Sequence, residues 1–400
     1  MLNRVVKIGI VAALLSSVGA LAQGSCGSTK LICLIPTALH ASSSTFSFFN
    51  EAFGTQVAQL PLATPASGFI FTFDKAAGVY TASQESFGPL QAERAETIGR
   101  HKIYLAFTYQ RFNFGDIDGN DFKNLPILFY FFPSGQTTPS VVTETDNRLD
   151  THVDQYVAFG TFGVTDRIDV SLAVPIERVA MSLSTSGTEY DTTSPATASF
   201  TEYLHGSASG VGDIVVSAKG TVLKQEKLGL AVGMEMRFAS GDELNFLGSG
   251  AFGLKPYVVL SRRGRIAPHL NLAYQWNSES DLAIGPNGKG RLPDYFGYTV
   301  GADIGVTKRI TLLADLVGQR FFEAPQVSIP TNVSAQVDNV FRPFSTILME
   351  NGSYSVNNLG VGVKANVWKR LLVSGNVSIK LDDGGVRATV VPLVGISYTF

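Results

Sequence analysis

Charge is scarce in this chain of 400 residues. Asp, Glu, Lys and Arg together make up 16%, and 31 basic against 33 acidic side chains leave a net charge of −2. Soluble domains usually carry about 25% charged residues. A disordered chain would be rich in charge and poor in aromatics, whereas this one has 27 Phe and 13 Tyr. The near-zero net charge excludes a nucleic-acid binder held by a basic surface. Long hydrophobic runs are also missing. After residue 22 no stretch approaches the roughly 18 apolar residues that a transmembrane helix requires. Cysteine is limited to Cys26 and Cys33, and histidine to five positions. Two thiols without a nearby His cluster cannot complete a tetrahedral metal shell, so neither a metal nor a cofactor is expected. Glycine, by contrast, is abundant at 40 copies, beside 45% hydrophobic residues. That combination fits either a soluble all-β protein or a transmembrane β-barrel.

Residues 1–22 set the compartment. Arg4 and Lys7 precede an apolar stretch from Ile8 to Leu15, which ends at Ala20-Leu21-Ala22. A basic start, a short apolar core and a small-x-small site describe a cleaved secretory leader. Its removal takes two cations with it, so the net charge falls from −2 to −4. In an exported chain the pair Cys26 and Cys33 reads as a disulfide closing a short loop.

From residue 102 onward, apolar residues alternate with polar or small ones. In 228–238, Leu228, Leu230, Val232, Met234, Met236 and Phe238 share one face, opposite Gly229, Ala231, Gly233, Glu235 and Arg237. Period-two alternation of this kind belongs to a strand. It recurs over 102–113, 152–163, 167–177, 213–222, 251–261, 266–276, 295–306, 309–321, 358–367, 371–381 and 387–400, which makes 12 strands. Short turns alternate with longer loops, and VTDRI, VTKRI and VWKRL recur at the short ones. Short turns on one rim and long loops on the other predict an antiparallel up-and-down transmembrane barrel. A soluble sandwich would show many Lys and Glu on its polar face; here that face is mostly Gly, Ala, Ser and Asn. The chain closes on Tyr398-Thr399-Phe400, with Tyr398 and Phe400 in phase with the apolar face. This is similar to the terminal-Phe strand of Gram-negative outer-membrane proteins that the barrel-assembly machinery recognises. The expected localisation is therefore the bacterial outer membrane. The expected division is a leader over 1–22, an N-terminal segment over 23–101 and a barrel over 102–400. The middle segment is too apolar for a linker. It reads as a plug or periplasmic element, or as an extra hairpin that would raise the count to 14 strands.

By parity the lumen carries Asp169, Glu177, Asp213, Lys219, Glu235, Arg237, Lys255, His269, Asp303, Asp315, Lys364 and Lys380, with His152 assigned to the same side. A lining of mixed sign does not select strongly for cations or anions. Paired charges filling a narrow interior would give the same composition. In loop 114–151 the run Leu125, Ile127, Leu128, Phe129, Tyr130, Phe131 and Phe132 is a candidate capture site or lid, or else a hairpin projecting above the membrane. An outer-membrane lipase would need a His beside a Ser on the lipid face. His205 near Ser207 and Ser209 is the nearest approach, and no enzyme is expected from it. Gly248-Ser249-Gly250-Ala251-Phe252-Gly253 matches a dinucleotide fingerprint in letters only, since a strand follows where a helix is required.

Three stretches carry a resemblance: Gly210-Val211-Gly212-Asp213 entering a strand with Lys219, Ala239-Ser240-Gly241-Asp242, and Leu247-Gly248-Ser249-Gly250. Ser86-Phe87-Gly88-Pro89, Glu93-Arg94-Ala95 and Ile98-Gly99 add to it. Over about 86–400 the chain resembles bacterial outer-membrane proteins associated with the meta-cleavage pathway of phenol degradation. More distantly it resembles the hydrophobic-compound channels typified by the long-chain fatty-acid transporter. The resemblance implies passive uptake of small hydrophobic or aromatic solutes. The chain departs from the fatty-acid transporter in strand count and in lacking an evident N-terminal hatch motif. The other reading is a structural or adhesion barrel with a closed lumen. Expected partners are outer-membrane lipid, the assembly machinery and small apolar solutes.

Overall fold

A computed structural model describes residues 29–39, 47–62, 69, 71–74, 79–82, 86–133, 135–283 and 288–400. The leader region 1–22 and Cys26 lie outside these residues. Twelve antiparallel strands close into a barrel: β1 Ile103–Ile117, β2 Val141–Gly163, β3 Ile168–Asp191, β4 Ile214–Lys224, β5 Leu228–Phe238, β6 Gly253–Arg262, β7 Ile266–Asn277, β8 Tyr295–Thr307, β9 Ile310–Phe321, β10 Ser355–Trp368, β11 Leu371–Lys380 and β12 Val390–Thr399. Each pairs with its sequence neighbours, and β12 returns to β1 with Leu393 opposite Gln110 and Thr399 opposite Tyr104. The hairpin Phe71–Asp74 with Val79–Ala82 forms a separate two-stranded sheet that is not part of the wall. The barrel therefore has 12 strands, not 14.

The recurring turn sequences have a common cause. Thr165 Oγ1 accepts the Arg167 backbone N–H at 3.1 Å, and Thr307 Oγ1 accepts that of Arg309 at 3.1 Å. A threonine hydroxyl thus replaces a backbone partner and tightens the hairpin. In the third turn Lys369 takes a left-handed backbone (φ 48°), and Asn366 Nδ2 donates to its carbonyl at 3.0 Å.

Strands β2 and β3 are much longer than the alternation alone predicts, at 23 and 24 residues. At about 3.4 Å per residue each runs for some 80 Å, far beyond an apolar band of about 25 Å. Along β3, Ile168, Val170, Leu172 and Ile176 are exposed while Asp169, Ser171 and Glu177 are buried. Beyond that point the faces exchange chemistry: Arg178 is exposed, and Val179, Met181 and Leu183 are buried. The outward apolar stretch from 168 to 176 spans about 26 Å of strand, or about 20 Å of height at the usual ~40° tilt. Strand β2 changes in the same way. Phe162 and Tyr156 are exposed at the short-turn end, and Asp150, Arg148 and Asp146 at the other. His152 is on this outward face and not in the lumen, because even-numbered positions of β2 face out. At the border Tyr109 donates to Asp154 Oδ1 at 2.8 Å and stacks obliquely on Tyr156 at 4.9 Å.

Inside the barrel sits the preceding chain, residues 29–39, 47–62 and 86–101, referred to below as the insert. Helix α1 (Leu34–Ala38) and helix α2 (Ser47–Ala58) occupy the long-loop end. Phe49, Ala52, Phe53 and Val57 of α2 are buried against Phe114, Phe122, Phe246 and Leu282 of the wall and its loops. Phe53 meets Phe246 at 4.9 Å and Phe114 at 5.6 Å, both edge to face. Burying such a ring contributes about 1.5–3 kcal/mol, and each aromatic pair about 0.5–1.5 kcal/mol more. Gly54 permits this approach, since a Cβ there would lie 2.7 Å from Leu282.

Candidate functional site

The short-turn end of the lumen is closed by residues 86–101, which form neither helix nor strand. Buried backbone without regular structure must find other hydrogen-bond partners, and here the wall supplies them. Thr311 Oγ1 accepts the Phe87 N–H at 3.2 Å, Asn271 Oδ1 that of Glu93 at 2.6 Å, Ser261 Oγ that of Ala95 at 2.9 Å and Asp169 Oδ2 that of Ile98 at 3.0 Å. On the carbonyl side, Lys364 Nζ donates to Gly88 O and Pro89 O, both at 2.6 Å, with Phe87 O at 3.4 Å. Thr221 Oγ1 donates to Ala95 O, and Lys219 Nζ to Arg94 O at 3.0 Å. Small wall residues make the space. A Cβ on Gly229 would stand 2.9 Å from Ala95 Cβ.

Charge reinforces this lower tier. Lys219 pairs with Glu93 at 2.7 Å and Arg263 with Glu96 at 2.7 Å. Burial by itself would raise the Glu96 carboxyl, but Arg94 and Arg263 outweigh it and hold the group below the usual carboxylate range. His269 is buried with Nε2 2.8 Å from Asp315 and Nδ1 3.6 Å from Asp303.

The upper tier is apolar at its centre and pinned at its edges. Lys30 pairs with Asp242 at 2.5 Å, and Gln56 Nε2 donates to Tyr354 Oη at 2.9 Å. Arg237 Nη1 donates to Ala58 O at 3.2 Å, and Gln110 Nε2 to Pro61 O at 2.7 Å. Burial pushes the Glu51 carboxyl of α2 up to about 7. Cys33 is disulfide-bonded. Between the tiers lies a cavity of about 50 Å³, bordered by Gln59, Gln91, Asn358, Ser378 and Arg387. That is room for one or two waters at about 30 Å³ each, and well short of the ~150 Å³ that holds benzene.

The three glycine-containing motifs at strand ends converge on one carboxylate. Asp213 Oδ1 accepts the Gly241 N–H at 3.2 Å, and Oδ2 accepts the Ser249 N–H at 2.8 Å and its hydroxyl. Arg237 Nε stands 3.6 Å from the same Oδ2. The loop between β5 and β6 is thereby folded into the wall where β4 begins.

Of the twelve side chains assigned to the lumen by parity, Asp169, Lys219, Arg237 and Lys364 bond directly to the insert. Glu235 pairs with Lys255 at 2.6 Å, and Lys380 with Asp116 at 2.6 Å. Asp303, Asp315 and His269 form one cluster, Asp213 clamps the loop, and Glu177 accepts from Gln155 Nε2 at 2.8 Å. The apolar run Leu125–Phe131 is a strand on the upper part of β2. Leu125 is buried, and Ile127 and Phe129 pack toward the upper tier. Leu128 and Tyr130 pack toward the hairpin 331–346, while Phe131 and Phe132 are exposed. His205, Ser207 and Ser209 are exposed along one edge strand, Thr197–Val211, with no hydrogen bond among them. Tyr398 and Phe400 meet edge to face at 4.7 Å at the short-turn rim. The residues that parity missed are those of the insert itself, chiefly Glu93, Arg94 and Glu96, and the wall residues Ser261, Asn271 and Thr311 that serve it.

No protein-family model matches the chain, and no curated protein does. Among solved structures, an outer membrane channel from Pseudomonas putida F1 is similar over 76% of this chain and 98% of its own, with 14% identity and a TM-score of 0.46. A Pseudomonas aeruginosa FadL homologue is similar over 86% and 97%, with 12% identity and a TM-score of 0.33. The Ralstonia pickettii toluene transporter TbuX is similar over 86% and 99%, with 12% identity and a TM-score of 0.32.

Proposed function

We propose that this chain is an outer-membrane channel for small, apolar solutes, closed at rest by its own N-terminal segment. One observation carries the reading: the lumen is filled by a separable stretch of chain and not by wall side chains reaching across it. A purely structural barrel would fill a 12-stranded interior with large wall residues. Here the inward face keeps glycines such as Gly229 and Gly360, and Ala95 and Gln91 of the insert take the space they leave. Displacing the upper tier would bare Phe114, Met181, Phe246 and Leu282, which suits an apolar solute better than an ion.

In this reading residues 1–22 are a cleaved leader, and Cys26 is the partner of Cys33. Residues 23–101 are the plug and 102–400 the barrel. The long-loop rim is extracellular, and Leu125, Ile127, Leu128, Phe129, Tyr130, Phe131 and Phe132 with hairpin 331–346 build its capture surface. Tyr398 and Phe400 address the chain to the assembly machinery. Transport is passive, with aromatic compounds among the solutes.

A disulfide lock tests it. Ala95→Cys with Gly229→Cys places two thiols where the Cβ atoms nearly touch, within reach of the ~3.8 Å that a disulfide prefers after a small adjustment. In proteoliposomes the oxidised variant should block uptake of a small aromatic probe, and reductant should restore it, with the unmodified chain under reductant as the control. Uptake that is absent from the unmodified chain, or indifferent to the lock, would sink the proposal.

A further inference from the structure

The two rims of the barrel carry opposite charge. Each of the five short turns presents an exposed cation: Arg167, Lys227, Arg262, Lys308 and Lys369. Across these turns, their flanking residues and the approach at 99–102, nine exposed Lys and Arg face two acids, Asp166 and Glu226. At the opposite rim the loops 239–252, 278–294 and 322–354 together hold eight acids against three bases. The overall charge of −2 hides this separation.

The cations stand just beneath the outward apolar belt. Val164, Ile266, Trp368 and Phe400 are exposed at the same level, and Lys369 Nζ lies 4.6 Å over the Trp368 ring. An aromatic body with a neighbouring cation is the arrangement that seats a ring at a membrane interface and leaves the charge among the headgroups. We propose that the short-turn rim is a collar for anionic phospholipid headgroups of the leaflet that surrounds it. A folded acidic partner would touch one arc of the rim. The cations instead occupy every turn around the circumference, at the height of the exposed apolar side chains, and only a lipid leaflet meets all of them at once.

The inference rests on the reading that the barrel spans a membrane, and the experiment separates the two. The full chain is reconstituted into phosphatidylcholine vesicles and into vesicles that also contain phosphatidylglycerol, and insertion is scored by protease protection. Lipids retained after extraction are then counted by native mass spectrometry. Insertion should occur in both, with phosphatidylglycerol enriched about tenfold and the enrichment falling as salt is added. The triple variant Lys227→Glu, Lys308→Glu and Lys369→Glu should insert equally and lose the enrichment. The corresponding triple Gln variant, which introduces no new charge, should lose most of it. Equal retention of both lipids by the unmodified chain overturns the collar, as does enrichment that survives both triple variants. Soluble poly-glutamate that displaces phosphatidylglycerol and binds only the unmodified chain would place an acidic polypeptide there instead. Failure to insert into either vesicle overturns the spanning reading, and the collar with it.

Discussion

Replacing Lys364 with Met should release the lower tier while leaving the wall intact. The Lys364 side chain is buried, and its ammonium sits on the carbonyls of Gly88 and Pro89 at 2.6 Å, with Phe87 O more distant at 3.4 Å. Methionine fills nearly the same volume, so packing is preserved. It also lacks the desolvation cost of a buried charge, which offsets part of the loss. What remains is two buried carbonyls deprived of a strong donor, at about 1–3 kcal/mol each. The net loosening is therefore about 2–5 kcal/mol, which raises the local opening constant by some 30- to several-thousand-fold. Amide hydrogen exchange reads this directly, because opening free energies differ between regions of one structure. The N–H groups of Phe87, Glu93, Ala95 and Ile98, which bond to Thr311, Asn271, Ser261 and Asp169, should lose protection by that factor. Wall amides of β9 and β10 should not. Unchanged protection at these four positions would show that the ammonium is no latch. Equal acceleration throughout the wall would show that it is simply part of the barrel's stability.

Two further outcomes follow from geometry and charge. Leu272 points outward near the middle of β7, and Leu272→Arg should cost about 2–4 kcal/mol in the apolar band and deplete the membrane fraction; normal recovery would contradict the face assignment. Glu51 has its carboxyl raised from 4.5 to about 7, so the docked upper tier binds a proton that the released tier does not. Its hold is strongest below about pH 4.5, weakens as pH rises to about 7 and is flat above. With Glu51 half-buried, the swing is discounted to about 1–2 kcal/mol. Limited proteolysis of 47–58 should become easier over that window, and Glu51→Gln should remove the dependence.

Much of the wall was legible because lipid enforces a single rule on one face. The alternation in 228–238 and 266–276 gave strand, face and near-exact limits for β5 and β7. The upper halves of β2 and β3 were not, because above the membrane the rule reverses. Val179, Met181 and Leu183 turn inward, so the apolar phase slips by one residue at Ile176–Arg178 and a strand reads as a loop. His152 was misplaced for the same reason. The lumen charges were legible as a set, but their partners were not. Lys364 and Pro89 are 275 positions apart, and nothing local announces that a lysine on β10 holds carbonyls upstream of β1. The glycines also proved less permissive than their composition suggests. Gly233 sits under the Tyr257 ring, where a Cβ would stand 2.2 Å from its nearest atom.

The insert (29–39, 47–62 and 86–101) precedes the first strand, yet it fills a space that exists only after the last strand has found the first, with the Phe400 N–H on Ile103 O at 2.8 Å. The sheet must therefore curl around its own leading stretch, which acts as a mandrel. Most of the hydrogen bonds and ion pairs that hold it span more than a hundred positions, so closure and filling become one late, slow event rather than two. A lesion that removes the mandrel outright, and not merely one of its latches, should then appear first as a failure to finish the barrel, before it appears as a leak.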